Sequence, residues 1–268
     1  MTIGTQRPPD LVRAWKPAVP GVAEVFHARF AEYAYPKHVH DTWTLFIVDA
    51  GEIRYDLDRH HRGAWHSAVS VLPPHVVHDG RPADDRGYVK RVLYLDTSVL
   101  GEDLIGRAVD RSAMEDPALR RAVGRLHPLL EQPDDALEAE SVTALVAERL
   151  RLHLTERPPE TVPRDVLLAG RLRELLEAHL HERVTLATFA DRLAVSPAHL
   201  VRSFTRTYGL PPHAYVLGRR IDAARARLLA GEEVATVAGA VGFYDQAHLT
   251  RHFRRHVGTT PAAYARAR

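Results

Sequence analysis

The chain has no cysteine among its 268 residues. Disulfides and thiolate metal sites are therefore excluded, and the composition suits a reducing compartment. No stretch approaches the ~18 consecutive apolar residues that a membrane-spanning helix needs. The opening residues, M-T-I-G-T-Q-R-P-P-D, lack the apolar core of a secretory signal. A cytoplasmic location is the expectation. No P-loop, dinucleotide fingerprint or Ser-His-Asp pattern is present, so a non-enzymatic protein with no cofactor is expected. Net charge is small, at +2.

What is there is unevenly distributed. Residues 1–160 hold 20 Lys and Arg against 25 Asp and Glu, for a net −5; residues 161–268 hold 16 against 9, for +7. A basic C-terminal half beside an acidic N-terminal half points to a polyanion as the partner of the former only. Hydrophobic content is 45% and charged content 26%, as in globular chains. The length allows two domains with cores of their own.

The basic half contains a repeat. A-H-L-V-R-S-F-T-R-T-Y-G-L-P-P-H-A-Y, from Ala198 to Tyr215, recurs 49 residues later as A-H-L-T-R-H-F-R-R-H-V-G-T-T-P-A-A-Y, with 10 of 18 positions identical. Leu200 and Phe204, and again Leu249 and Phe253, lie four apart and share one helix face. Arg202 and Arg206, and Arg251 and Arg255, share another. Gly209 and Gly258 suit the left-handed position that ends a helix, and Ser196 and Asp245 suit the cap that begins one. Short helices are expected upstream of each copy, over Thr185–Leu193 and Val234–Val241. Each pair makes a helix-turn-helix whose second helix can enter the major groove. Between them, His213–Ala230 reads as one helix of about 27 Å, against about 34 Å between successive major-groove faces.

These residues resemble the AraC/XylS family of bacterial transcription regulators over about 100 residues, from Arg171 to Tyr264. The run from Val234, with Gly242-Phe243, His248-Leu249, Arg251, Phe253, Gly258, Pro261 and Tyr264, fits the family pattern. The resemblance implies a seven-helix DNA-binding domain with two helix-turn-helix units joined by a long helix. It implies double-stranded DNA as partner, with RNA polymerase and a second copy of the chain as further candidates, and a role such as activator. Ala198, His199, Val201, Arg202, Arg206, Gln246, Ala247, His248, Thr250, Arg251, Arg254 and Arg255 are the candidate DNA contacts. Arg202 and Arg251 are placed on bases, Arg206, Arg254 and Arg255 on phosphates.

The N-terminal half reads differently. Residues 1–20, punctuated by four prolines, suggest an arm. From Gly21 to Asp96, short segments rich in β-branched and aromatic residues suggest a sandwich or small barrel, with hairpin turns at Ala50-Gly51 and Arg62-Gly63. Pro117–Leu130 and Asp135–Thr155 read as helices. The second offers either a face for its own barrel or a dimerisation surface. Residues 156–164, with Pro158, Pro159 and Pro163, read as a linker. The expected organisation is α+β: a cupin-like sensing and dimerisation domain over 1–155, then an all-α double helix-turn-helix domain over 165–268.

His38-x-His40 and Pro73-x-His75-x-x-His78 resemble the cupin barrel, the usual sensor half of such regulators. Thr44 and Leu45 stand where cupin enzymes carry glutamate, and His75 replaces a glycine. The missing carboxylate speaks against a catalytic metal. His38, His40 and His78 remain open between pocket or structural hydrogen bonding, effector contact and metal ligation. His38, His40, Trp43 and His78 are the candidate contacts for a small-molecule effector, though Trp43, like Tyr55, Trp65 and Tyr94, reads first as a core aromatic. Arg54 and Arg91 read first as solvent-facing, and one of them is a candidate for holding an anion inside. The rival reading is a cupin-type metal-dependent enzyme fused to a DNA-binding module.

Overall fold

The computed structural model describes residues 10–156, 165–182 and 185–266. The chain divides into two compact units, Met1–Pro133 with Val142–Pro159, and Asp134–Ser141 with Glu160–Arg268.

The first unit is β-rich. Its strands are β1 (Leu11–Trp15), β2 (Val22–Phe30), β3 (Tyr35–His38), β4 (Trp43–Gly51), β5 (Ile53–Leu57), β6 (His60–Ala64), β7 (Val69–Leu72), β8 (His78–Pro82), β9 (Tyr88–Leu95) and β10 (Ala113–Met114). They form a six-stranded sheet in the order β1-β2-β9-β4-β7-β10 and a four-stranded sheet in the order β3-β8-β5-β6. The core between the sheets joins Phe46 and Val48 of β4 and Val92 of β9 to Tyr55 and Leu57 of β5. Successive strand residues face opposite ways. Trp43, Leu45 and Ile47 therefore lie on the reverse face of β4 and are buried there. Helices α1 (Thr97–Leu100), α2 (Ile105–Asp110) and α3 (Pro117–Leu130) follow, with α2 against β7 and α3 against β4.

Three sequence expectations change. Leu11–Trp15 is not part of an arm but a strand, paired with Val25–Arg29; residues 1–9 lie outside the described residues. Arg62-Gly63 is not a turn. Both residues sit within β6, paired with Tyr55 and Arg54, and the hairpin turns at Asp58, whose φ is 54°. An aspartate tolerates this left-handed conformation better than most residues, a signal overlooked beside the glycine. Nor is Ala50-Gly51 a hairpin turn: both residues end β4, paired with Val89 and Tyr88, and from there the chain leaves one sheet for the other.

Asp116 fixes the start of α3. It accepts from the N–H groups of Ala118 and Leu119, and Arg149 and His153 donate to it at 2.5 and 2.6 Å. Those two residues belong to α4 (Ala136–Thr155), whose residues 142–155 fall in the first unit and 136–141 in the second.

The second unit holds seven further helices among the described residues: α5 (Val166–Ala178), α6 (Leu186–Arg192), α7 (Pro197–Tyr208), α8 (Pro212–Leu229), α9 (Val234–Ala240), α10 (Gln246–Val257) and α11 (Pro261–Arg266). The caps are those the sequence suggests. Ser196 accepts from His199 N–H and Asp245 from His248 N–H, and Gly209 and Gly258 are left-handed at the far ends. The helix-turn-helix pairs are α6–α7 and α9–α10, each turning on a left-handed residue, Ala194 or Gly242. Glycine is needed at 242, where a Cβ would meet the His181 backbone and the Arg220 guanidinium at 3.0 Å. Helix α8 packs against α7, α9, α10 and α11. The proposed linker, residues 156–164, lies almost wholly outside the described residues. No helix among the described residues is long and apolar enough to cross a membrane.

Candidate functional site

Two regions concentrate chemistry, one in each unit. In the second unit, α10 buries Leu249 and Phe253 and turns its other side outward. Gln246, Ala247, Thr250, Arg251, Arg254 and Arg255 line one open concavity. All six are sequence-predicted DNA contacts. The helix start beside them also carries the partial positive charge of unpaired N–H groups.

Three other predicted contacts are not on open surface. Ala198 and Val201 are buried, at 5% and 2% exposure. They have no polar side-chain atom to desolvate, and they extend the apolar face of α7 formed by Leu200 and Phe204. His248 is also buried. Its Nδ1 accepts from Tyr244 N–H at 3.2 Å, so Nε2 carries the proton and points toward Asp135 Oδ1 at 3.8 Å. The aligned His199 is only half-buried, and Arg206 is exposed. Arg202 is half-buried, and desolvation lowers its pKa.

Sequence reading missed the acidic residues beside α10. Within the second unit, Arg251 lies 3.2 Å from Asp135 Oδ2 and 4.0 Å from Asp134 Oδ2, and His252 Nε2 lies 3.2 Å from Asp135 Oδ1. Burial alone would raise the Asp135 pKa. Contact with His248 and His252 and the charge of Arg251 outweigh it and hold the carboxyl below its ordinary range. Asp134-Asp135 carries no motif, so no sequence signal marked it.

In the first unit, β3, β8 and the segment after β3 bring His38, His40 and His78 together. Their ring centroids are 4.5–5.0 Å apart, and one ring nitrogen of each lies within 4.8 Å of the others. His38 Nδ1 is 2.6 Å from Pro36 O and His78 Nδ1 is 2.9 Å from Val76 O. A carbonyl only accepts, so Nδ1 carries the proton in each and Nε2 is left with its lone pair. Burial lowers the His40 pKa to about 4, helped by His78, His38 and Lys90. Burial likewise lowers that of His78, with His38 and Lys90 adding to it. Tyr94 packs edge-on against His40 at 5.2 Å.

Trp43 is the fourth predicted effector contact, and the structure separates it from the other three. It faces away from the intersheet core, because strand alternation places Thr44, Phe46 and Val48 on the opposite side of β4. Arg54 and Arg91 take the outward reading rather than the inward alternative. Arg54 is exposed, and Arg91 pairs with Asp49 at 2.7 Å. The cation on the inner side is the neighbouring Lys90. Its Nζ lies 4.3 Å from the Tyr35 ring centroid and 5.8–6.0 Å from those of Phe26, Phe46 and Tyr88. The segment V-K-R-V-L-Y-L could not reveal this, since both of its faces are largely apolar and its parity is ambiguous.

The sequence model of the AraC-like ligand binding domain matches residues 20–154, half of the chain, and that of a helix-turn-helix domain matches residues 189–267. The chain belongs to the AraC-like family. Among relatives of this AraC-like chain, the uncharacterized HTH-type transcriptional regulator YbfI of Bacillus subtilis is 33% identical over 132 residues, 49% of this chain and 48% of that protein. The virulence regulon transcriptional activator VirF of Yersinia enterocolitica is 28% identical over 161 residues, 54% of this chain and 55% of that one. The chain thus spans about half the length of these curated relatives. Among solved structures, the DNA-binding domain of AdpA in complex with a target DNA is 32% identical, over 37% of this chain and 90% of that chain, with a TM-score of 0.35. The AraC-like transcriptional activator CuxR is 15% identical, over 82% of each chain, with a TM-score of 0.46. The β-rich unit followed by a helical helix-turn-helix unit is the AraC-like α+β arrangement that the motifs implied.

Proposed function

We propose that this chain is a sequence-specific, DNA-binding transcription regulator controlled by a small molecule held in the N-terminal barrel. The observation that carries this is the open face of α10, where Gln246, Thr250, Arg251, Arg254 and Arg255 converge on one concavity at a capped helix start. Arg251 is suited to the bidentate contact with guanine, and Arg254 and Arg255 to phosphates. Arg202, Arg206 and His199 are the contacts of the first helix-turn-helix. His38, His40 and His78 border the effector. Its binding must favour one arrangement of the protein over another to shift anything. RNA polymerase and a second copy are the partners this reading proposes.

Selection of sites from random DNA at a stated salt concentration tests it. Wild type should enrich a motif, and Arg251→Ala should lose preference at one position at a cost of about 1–3 kcal/mol. Enrichment of nothing by wild type sinks the proposal.

One observation favours the enzyme reading. The three histidines fit a divalent metal in spacing, and His38 and His78 also in tautomer, with Nε2 free on both. Against it stands the absence of the cupin carboxylate, since Thr44 and Leu45 occupy its place. Metal analysis of purified protein decides: a stoichiometric transition metal supports this reading, and its absence removes it.

A further inference from the structure

The interior of the barrel holds a cation that nothing on its own side neutralises. Lys90 projects from β9 into the space between the sheets, beside Val92 of the core. Its neighbours Val89 and Arg91 take the other face. Four aromatic rings surround its ammonium, with Tyr35 nearest at 4.3 Å. Among the described residues no carboxylate pairs with it. Glu24, on the same face of β2 as Phe26, bears on Tyr94 and forms no ion pair with Lys90. Asp49 pairs with Arg91 and Arg120, and Asp79 accepts from Asp56 N–H and faces Arg81. A charge withdrawn from water without a partner is costly, and such charges are normally paired. The cost shows in Lys90 itself, since burial lowers its pKa to about 8. At neutral pH the group still carries its proton.

The chemistry around it is one-sided. Lys90 supplies a positive charge, and the rings of Phe26, Tyr35, Phe46 and Tyr88 supply apolar walls. Nearby, His38 and His78 offer bare Nε2 lone pairs, their other nitrogens being committed to Pro36 and Val76 carbonyls. The Tyr35 ring connects the two ends, 5.8 Å from the His38 ring. The hydroxyl of Tyr88 is buried and finds no hydrogen-bond partner among the described residues. The walls are not sealed: Lys90, Tyr35, His38, His40 and Tyr94 all keep partial exposure, whereas Val92 and Phe46 beneath them are buried.

We infer that the barrel binds a small organic anion, its acidic group paired with Lys90 Nζ, its apolar body against Tyr35 and its neighbours, and a hydroxyl donated to a histidine Nε2. A neutral molecule would leave the ammonium as unpaired as it is now. A cation would be repelled by it. This rests on the barrel being the effector domain, and it narrows that reading to one ligand class.

The test compares acids with their uncharged amides on the full chain. The probes are mandelate against mandelamide and 2-hydroxyhexanoate against 2-hydroxyhexanamide, titrated calorimetrically at pH 7. The expected result is that an acid binds at least about tenfold more tightly than its amide, because a charged pair is stronger than a neutral hydrogen bond. Lys90→Met should erase the difference, and Lys90→Arg should retain most of it. Equal binding of acid and amide, no binding of either acid, or a preference that survives Lys90→Met each overturn the inference. The wild-type comparison stands even if Lys90→Met does not fold, which its thermal transition reports.

DNA binding to a selected site, with and without the acid, separates this inference from the broader reading. If the acid binds through Lys90 but DNA affinity does not move, the anion site stands and control by it falls. If acid and amide bind alike while DNA selection succeeds, the regulator stands and the anion class falls.

Discussion

Arg251 has one guanidinium, and Asp135 holds it at 3.2 Å. A guanine or phosphate must compete with that carboxylate. Exposed ion pairs contribute about 0.2–1 kcal/mol. Asp135→Asn should therefore tighten DNA binding, by up to about fivefold in Kd. Fluorescence anisotropy at fixed salt measures it, and unchanged or weaker binding would refute the competition. The neighbouring lesson is Lys90. Sequence reading weighs Arg54 and Arg91, favours solvent for both, and passes over Lys90, one residue from Arg91 and on the opposite face. Alternation by two is absolute in a strand, but which parity faces in is set by the sheets. Here Val89, Val92 and Leu93 make both faces apolar. His38, His40 and His78 were legible because the first two lie at i and i+2 and the third belongs to the second half of a cupin-like motif. Trp43 was legible as a core aromatic, but not as to side, since its large apolar ring suits either face of β4.

Helix α3 is held on the sheet partly by an unusual pair. His127 is buried and its Nδ1 lies 3.0 Å from His27 Nε2 on β2. Burial pushes the His127 pKa far down, reinforced by Arg91 and His27. It lowers that of His27 as well. Unfolded histidine takes up a proton below about pH 6.5, and the native ring resists. The unfolded state then binds more protons, so stability falls as pH drops from 6.5 toward 2. The slope from His127 is about 1.4 kcal/mol per pH unit. Urea melts at pH 7, 6 and 5 should show the decline, and His127→Leu should flatten it. An unchanged slope in the variant would place the acid sensitivity elsewhere. Elements of this kind were the most legible part of the chain. The periods of α3, α4, α7, α8 and α10 and the caps at Ser196 and Asp245 are written locally. Strand β1 was lost among the prolines, since its partner Val25–Arg29 lies too far along the chain for local pattern to reveal.

Across the whole molecule, charge is divided as sharply as structure. Binding to DNA should release counterions in proportion to the phosphates that arginines neutralise. If Arg255 meets phosphate, Arg255→Ala should weaken binding to all sequences alike and reduce the salt slope by about 1. A change in motif, with the slope intact, would make it a base reader instead. The two copies of the repeat are alike in ten positions of 18, yet they are not interchangeable. One offers an open row of six side chains, while the other has folded Ala198 and Val201 into the interior. On the proposed function, a reader built this way would divide its labour, one half spelling and the other mostly gripping. The operator it recognises should carry its information content lopsidedly, with a few strictly specified base pairs under α10 and a looser, more forgiving stretch under α7.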